Sequence, residues 1–163
     1  MKRIYLTNNS LQTKKLGEGL AKKLLKTVCG KGAIVVGLTG NLGGGKTTFL
    51  QGFAKGLGIK ERILSPTFVI MKRFKIKIKD VILRGASCFA PCKGFKNFYH
   101  IDCYRLQNPK EILDLGFRAL ISNPQNIVAI EWAERIKKVL PRNTIWIKFE
   151  FLGKNERRII VIE

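Results

Sequence analysis

Gly40, Asn41, Leu42, Gly43, Gly44, Gly45, Lys46, Thr47 and Thr48 follow directly on the apolar run Ala33 to Leu38. Their spacing, G-x-x-x-x-G-K-[ST], is that of a phosphate-binding loop. Glycines let successive backbone N–H groups turn inward around the α- and β-phosphates, a path that Cβ atoms would obstruct. Lys46 can then reach the β- and γ-phosphates, and the Thr47 hydroxyl is placed to ligate Mg²⁺. A helix opening at this point adds a positive dipole end and unsatisfied N–H donors for the same anion. The plainer reading is a glycine-rich turn without a ligand. Against it stand the strand pattern Ile34 to Leu38 before the loop and the helical spacing of Phe49, Leu50, Phe53, Ala54 and Leu57 after it.

Binding a polyphosphate is not hydrolysing it, and hydrolysis needs acids that hold Mg²⁺ and position water. Glu131 closes the apolar run Ile127 to Ile130, the form of a Walker B strand with Glu where Asp is usual. In open α/β sheets ligands gather at the carboxyl ends of strands, which suits Glu131. Asp102 lies in a strand predicted over Phe98 to Arg105, and from the residues alone a surface carboxylate is an equal reading. Thr67, in the turn Ser65-Pro66-Thr67, resembles a switch threonine that senses a γ-phosphate, although such a turn without a ligand is equally ordinary. His100 is the only histidine, and lone histidines are more often structural than catalytic. Trp132, next to Glu131, reads as a ring that stacks on a partner or shields the site, or equally as a plain core indole.

Periodicity predicts the elements that must position these groups. Arg3 to Leu6 form a first strand and Ser10 an N-cap, after which Leu16, Leu20, Ala21, Leu24, Leu25 and Val28 trace one helix face up to Gly30. Phe74, Ile76 and Ile78 alternate with Lys75, Lys77 and Lys79, giving a strand with one apolar and one basic face. Arg84 to Asn97 lacks clear periodicity and reads as a hairpin or loop. Asn108, Pro109 and Glu111 make a helix start, with the helix running to about Leu120. A further helix from Ala133 to Leu140 and two strands, Ile145 to Phe151 and Arg157 to Ile162, close the chain. The fold class is α/β: one P-loop NTPase-like domain over 1–163, a mixed and mostly parallel sheet flanked by helices, with a basic hairpin or loop insertion around 72–96.

With 31 Lys and Arg against 11 Asp and Glu, the 163-residue chain carries a net charge of +20. Such a field attracts polyanions such as RNA and acidic proteins, unless the lysines only solvate an ordinary surface. No apolar run approaches the ~18 residues of a membrane span, and no apolar leader segment is seen; the expected location is the cytoplasm, without membrane attachment. Cys88, Cys92, His100 and Cys103 could be aligned as a zinc set. On a strand, however, the odd separation of His100 and Cys103 sends them to opposite faces, so reduced, mostly buried thiols are expected and zinc is not.

Taken in order, GNLGGGKTTF, SPTF, HIDCYRL and IEWAER resemble the bacterial TsaE family, also called YjeE, whose usual forms are close to GxLGAGKTTF, SPTF, HFDLYRL and VEWPER. The resemblance implies a Mg²⁺-dependent ATPase needed for threonylcarbamoyladenosine at tRNA position 37. In that family the ATPase docks on the TsaD–TsaB heterodimer, which performs the transfer, and ATP hydrolysis resets that complex. It implies further that Lys46 and Thr47 bind phosphate and Mg²⁺, that Thr67 belongs to a switch-like segment, and that Asp102 and Glu131 are the expected acids. Trp132 matches a tryptophan associated with activity. Gly44 stands for the usual Ala, Cys103 for Leu and Ala133 for Pro. The basic insertion is the larger departure, expected to contact tRNA or the heterodimer. A small-molecule kinase with the insertion as lid, and a non-catalytic RNA-binding module, are the rival readings. A GTPase is disfavoured because no N-K-x-D motif occurs.

Overall fold

The apolar run of β5 (Asn126–Glu131) is buried at every position, as expected of a parallel strand covered on both faces. It lies inside a seven-stranded sheet, seen in a computed structural model that describes residues 1–27, 30–64, 70–76, 94–153 and 155–163. The other strands are β1 (Lys2–Thr7), β2 (Ile34–Thr39), β3 (Met71–Lys75), β4 (Asn97–Asp102), β6 (Ile145–Phe151) and β7 (Arg157–Ile162). Their order is β1-β7-β6-β2-β5-β4-β3. The four central strands β6, β2, β5 and β4 run parallel, whereas β7 is antiparallel to β6 and β1, and β3 is antiparallel to β4. This is the mixed α/β sheet expected from the sequence. Residues 77–93, which hold most of the basic insertion together with Cys88 and Cys92, lie outside the described residues, as do Cys29 and Thr67.

Alternating side chains feed two cores. On one face, Val36, Leu38, Phe98, Ile127, Ile147 and Phe149 meet α1 (Ser10–Leu25) and α2 (Lys46–Gly56) through Ala21, Leu24, Phe49, Leu50 and Phe53. On the other, Val35, Ile101, Val128 and Ile130 meet α3 (Pro109–Asp114), α4 (Phe117–Ser122) and a 3₁₀ stretch, Ala133–Val139. Among the described residues no helix is long and apolar enough to cross a membrane.

Several boundaries differ from expectation for local reasons. The cap of α1 is Asn9, whose side chain accepts from the Gln12 N–H at 2.9 Å, and the helix ends at Leu25 instead of near Gly30. The helix predicted to run to Leu120 begins with the expected capping box at Asn108 and Glu111 but breaks at Gly116, whose φ is 76°. An unbroken helix would present Gly116, without a side chain, between Ile112 and Leu120. The left-handed turn brings Phe117 into the core instead. The strand expected to reach Arg105 stops at Asp102, the one expected from Phe74 to Ile78 is Met71–Lys75, and the last predicted helix is a 3₁₀ stretch kinked at Ile136.

What holds α2, and with it the phosphate-loop segment, is close packing against α1. A Cβ on Gly52 would stand 1.9 Å from the Lys14 carbonyl oxygen, and one on Gly17 2.2 Å from that of Phe49. The helices therefore touch backbone to backbone. Gly19, also in α1, has nothing within 4 Å of such a Cβ. Urea unfolding is expected to show a loss of about 2 kcal/mol or more for Gly52→Ala, whereas Gly19→Ala gains about 0.5–1 kcal/mol from helix propensity alone.

Candidate functional site

Register decides which side chains converge. In the parallel pairings, Leu38 is level with Glu131 and Glu131 with Asp102, so the carboxyl ends of β2, β5 and β4 finish in one row. Neighbouring strands are about 4.8 Å apart, and residues level across parallel strands share a face, so both carboxylates stand side by side on the α2 face. The chain leaving β2 passes beside them through Gly40, Gly43 and Gly45, with φ of 125°, 72° and 98°, a left-handed path that favours glycine. Gly40 also admits no side chain, since its Cβ would lie 2.3 Å from the Phe149 carbonyl oxygen. Gly44, where the resemblance has alanine, folds its N–H back onto the Asn41 carbonyl at 3.1 Å. A Cβ on Gly44 would stand 2.9 Å from that same oxygen, so glycine suits this turn.

The loop ends at the first turn of α2, where no side chain caps the N-terminus and no acid sits in the first turn. Its N–H donors and dipole therefore face a cleft of about 350 Å³, bounded by Leu42 to Thr48 on one side and by Asp102, Tyr104, Glu131 and Trp132 on the other. Asn41, just outside, contributes its carbonyl to the turn. Thr67 lies outside the described residues. Apart from Asn41 and Thr67, every residue expected at the site lines this cleft.

Within the cleft the contacts are specific. The Thr47 hydroxyl donates to the Glu131 carboxylate, with Oγ1 at 2.9 Å from Oε1 and 3.0 Å from Oε2. Lys46, only 4 % exposed, donates from Nζ to the carbonyl oxygens of Gly40 at 2.6 Å and Asn41 at 2.9 Å, and rests 4.0 Å from the centroid of the Trp132 ring. Burial lowers the pKa of Lys46 below the ordinary lysine value, with Glu131, Glu134 and Asp102 pulling it partly back. Asp102 accepts from the Tyr104 N–H at 2.9 Å, which orients its carboxylate at the strand end. Trp132 has φ of 59°, a conformation that a bulky residue rarely adopts.

Two contributors were not expected. His100, read as structural, places Nε2 2.9 Å from Glu131 Oε1. Tyr104, 44 % exposed, packs its ring 5.1 Å from that of Trp132, with the Arg135 guanidinium 5.6 Å from its centroid. His100 and Asp102 share one strand face, a visible pattern, but only the β4–β5 pairing reveals that this face meets Glu131. Cys103 turns into the opposite core, and burial, with Asp102 nearby, pushes its thiol up to about 12. Among the described residues no three His, Cys, Asp or Glu side chains are grouped to hold a metal. The oxygen donors of Thr47, Glu131 and Asp102 fit Mg²⁺, which takes one or two carboxylates and completes its shell with water and phosphate.

The family described as "Threonylcarbamoyl adenosine biosynthesis protein TsaE" matches residues 7–159. Proteins named "tRNA threonylcarbamoyladenosine biosynthesis protein TsaE" are similar over most of the chain. One from Rickettsia felis is 34 % identical over 98 % of this chain and 79 % of its own, and one from Treponema pallidum is 34 % identical over 80 % and 82 %. The crystal structure of Bacillus subtilis YdiB superposes with a TM-score of 0.66 at 28 % identity, covering 99 % of this chain and 84 % of that one.

Burying the Lys46 ammonium costs the fold stability, as its lowered pKa shows. Lys46→Met keeps most of the volume and removes the charge, while the carbonyls it frees belong to Gly40, which is half-buried, and Asn41, which is exposed. The free energy of urea unfolding is therefore expected to hold or rise at pH 7, by up to about 1 kcal/mol. Because the folded-state pKa is the lower one, the unfolded chain binds more protons between it and 10.5, and wild-type stability rises across that window. The advantage of Lys46→Met should therefore shrink as pH rises toward 10.5; an advantage that widens would contradict this.

Proposed function

The chain belongs to the TsaE family of threonylcarbamoyl adenosine biosynthesis proteins, and from that premise we propose that it is the Mg²⁺-dependent ATPase of the machinery that installs N6-threonylcarbamoyladenosine on tRNA, working with TsaD and TsaB homologues. The observation that carries the reading is the Thr47–Glu131 hydrogen bond at the mouth of the Lys46 loop. It joins a phosphate-binding helix end to a strand-end acid, the pairing that triphosphate hydrolysis requires.

In this reading the backbone N–H groups of Gly43 and of Gly45 to Thr48 receive the phosphates, and the Lys46 ammonium exchanges the carbonyls of Gly40 and Asn41 for phosphate oxygens. That exchange recovers the cost of burying the charge. Thr47, Glu131 and Asp102 are the groups that would hold Mg²⁺, which would supply positive charge to offset that of the phosphates. Glu131 has a second role, accepting a hydrogen bond from the attacking water. Trp132 covers the Lys46 side chain, and Thr67 belongs to the segment that senses the γ-phosphate. The basic segment 72–96 contacts tRNA or the heterodimer through its cations.

Turnover of ATP by the full chain, measured with and without purified TsaD–TsaB, tests the proposal. Low intrinsic hydrolysis that rises with the heterodimer is expected. Lys46→Ala should lower the stimulated rate by about 10²-fold or more, and Glu131→Ala or Asp102→Ala by about tenfold or more. Undiminished turnover in either acid variant would remove that acid from the mechanism, and partner-independent phosphorylation of a metabolite would favour a kinase. Replacing residues 77–93 by a short Gly-Ser link should weaken tRNA binding or partner stimulation. If both were unchanged, the insertion would have no such role.

A further inference from the structure

The geometry points to His100 as a positioning residue that fixes the Glu131 carboxylate for hydrolysis, an inference that rests on the ATPase reading above. His100 is 1 % exposed and Glu131 3 %, and Nε2 stands 2.9 Å from Oε1. The other ring nitrogen, Nδ1, is buried and has no hydrogen-bond partner among the described residues. A carboxylate offers acceptors only, so Nε2 is the donor of this contact and Nδ1 is left without a partner.

That asymmetry argues against a space-filling role. Leu or Phe could fill a buried site between sheet and helix with no unsatisfied nitrogen. The imidazole instead leaves one nitrogen unpartnered in order to place the other on Glu131. His100 does not line the cleft, so it acts on Glu131 from behind.

Glutamate has three rotatable side-chain bonds, and its orientation here depends on two contacts. Among the described residues these are the Thr47 hydroxyl and His100. Thr47 is also the residue expected to turn toward Mg²⁺ when a nucleotide enters, and it cannot then hold both carboxylate oxygens. His100 keeps Oε1 in place at that moment, leaving Oε2 available for the metal and water roles proposed for Glu131. Its removal should cost rate rather than nucleotide affinity.

Two variants and one spectrum decide this. His100→Leu removes the donor, and His100→Gln restores an N–H near the position of Nε2. In partner-stimulated hydrolysis, His100→Leu should lower kcat about tenfold with KM changed less than about threefold, and His100→Gln should recover much of the loss. In a Glu131→Gln background, His100→Leu should add nothing. Wild-type kcat in His100→Leu, no rescue by glutamine, or losses that multiply would overturn the inference. Because His100 is the only histidine, long-range ¹H–¹⁵N NMR reads its ring without overlap and without any turnover. A single Nε2–H tautomer whose resonances move in Glu131→Gln is expected. An Nδ1–H tautomer, or no response to Glu131→Gln, would overturn it. Absence of wild-type hydrolysis with TsaD–TsaB would count against the ATPase reading, and the NMR result would still decide the placement of His100.

Discussion

The level ending of three parallel strands is the constraint on which the site depends. With Leu38, Glu131 and Asp102 in one row, the loop after β2 begins where both acids stand, and α2 starts with Thr47 against Glu131. Period-2 alternation makes this register unforgiving, because a slip of one residue in β5 would turn Glu131 into the opposite core and bring Ile130 to the cleft. Burial of β5 on both faces opposes such a slip at each of its apolar residues, so the hydrophobic core and the acid's position are set by the same pairing.

Close helix packing transmits that order to the phosphate loop. Gly17 and Gly52 let α1 and α2 meet backbone to backbone, which fixes the direction of α2 and of the N–H groups at its start. At that start lies Lys46, held on two carbonyls and on the face of Trp132, with burial opposing its charge. The result is a cationic group stored at a cost that a polyphosphate would relieve.

Much of this was legible in the sequence because its signals are local. The glycine spacing of 40–48, the apolar run ending at Glu131 and the capping box at Asn108 each declare their geometry within a few residues. What escaped reading depends on distant pairing or on one backbone angle. The break at Gly116 was hidden because Ile112 and Leu120 keep helical spacing across it. The His100–Glu131 contact was hidden because 31 residues separate its partners, and only strand order unites them. Tyr104 carries no local signal, because its stacking on Trp132 follows from a turn after β4 where the periodicity predicts a longer strand. Thr67 and most of the basic insertion fall outside the described residues.

The central claim is that Thr47 and Glu131 form, with the Lys46 loop, a site for a metal-bound nucleotide. Equilibrium binding of a non-hydrolysable ATP analogue, measured by calorimetry with Mg²⁺ and again with EDTA, tests it most directly when repeated on Thr47→Val. The account predicts wild-type affinity about tenfold or more weaker in EDTA and a Thr47→Val variant whose weak binding no longer depends on Mg²⁺. Equal wild-type affinity in both conditions, or an undiminished Mg²⁺ effect in Thr47→Val, would contradict it.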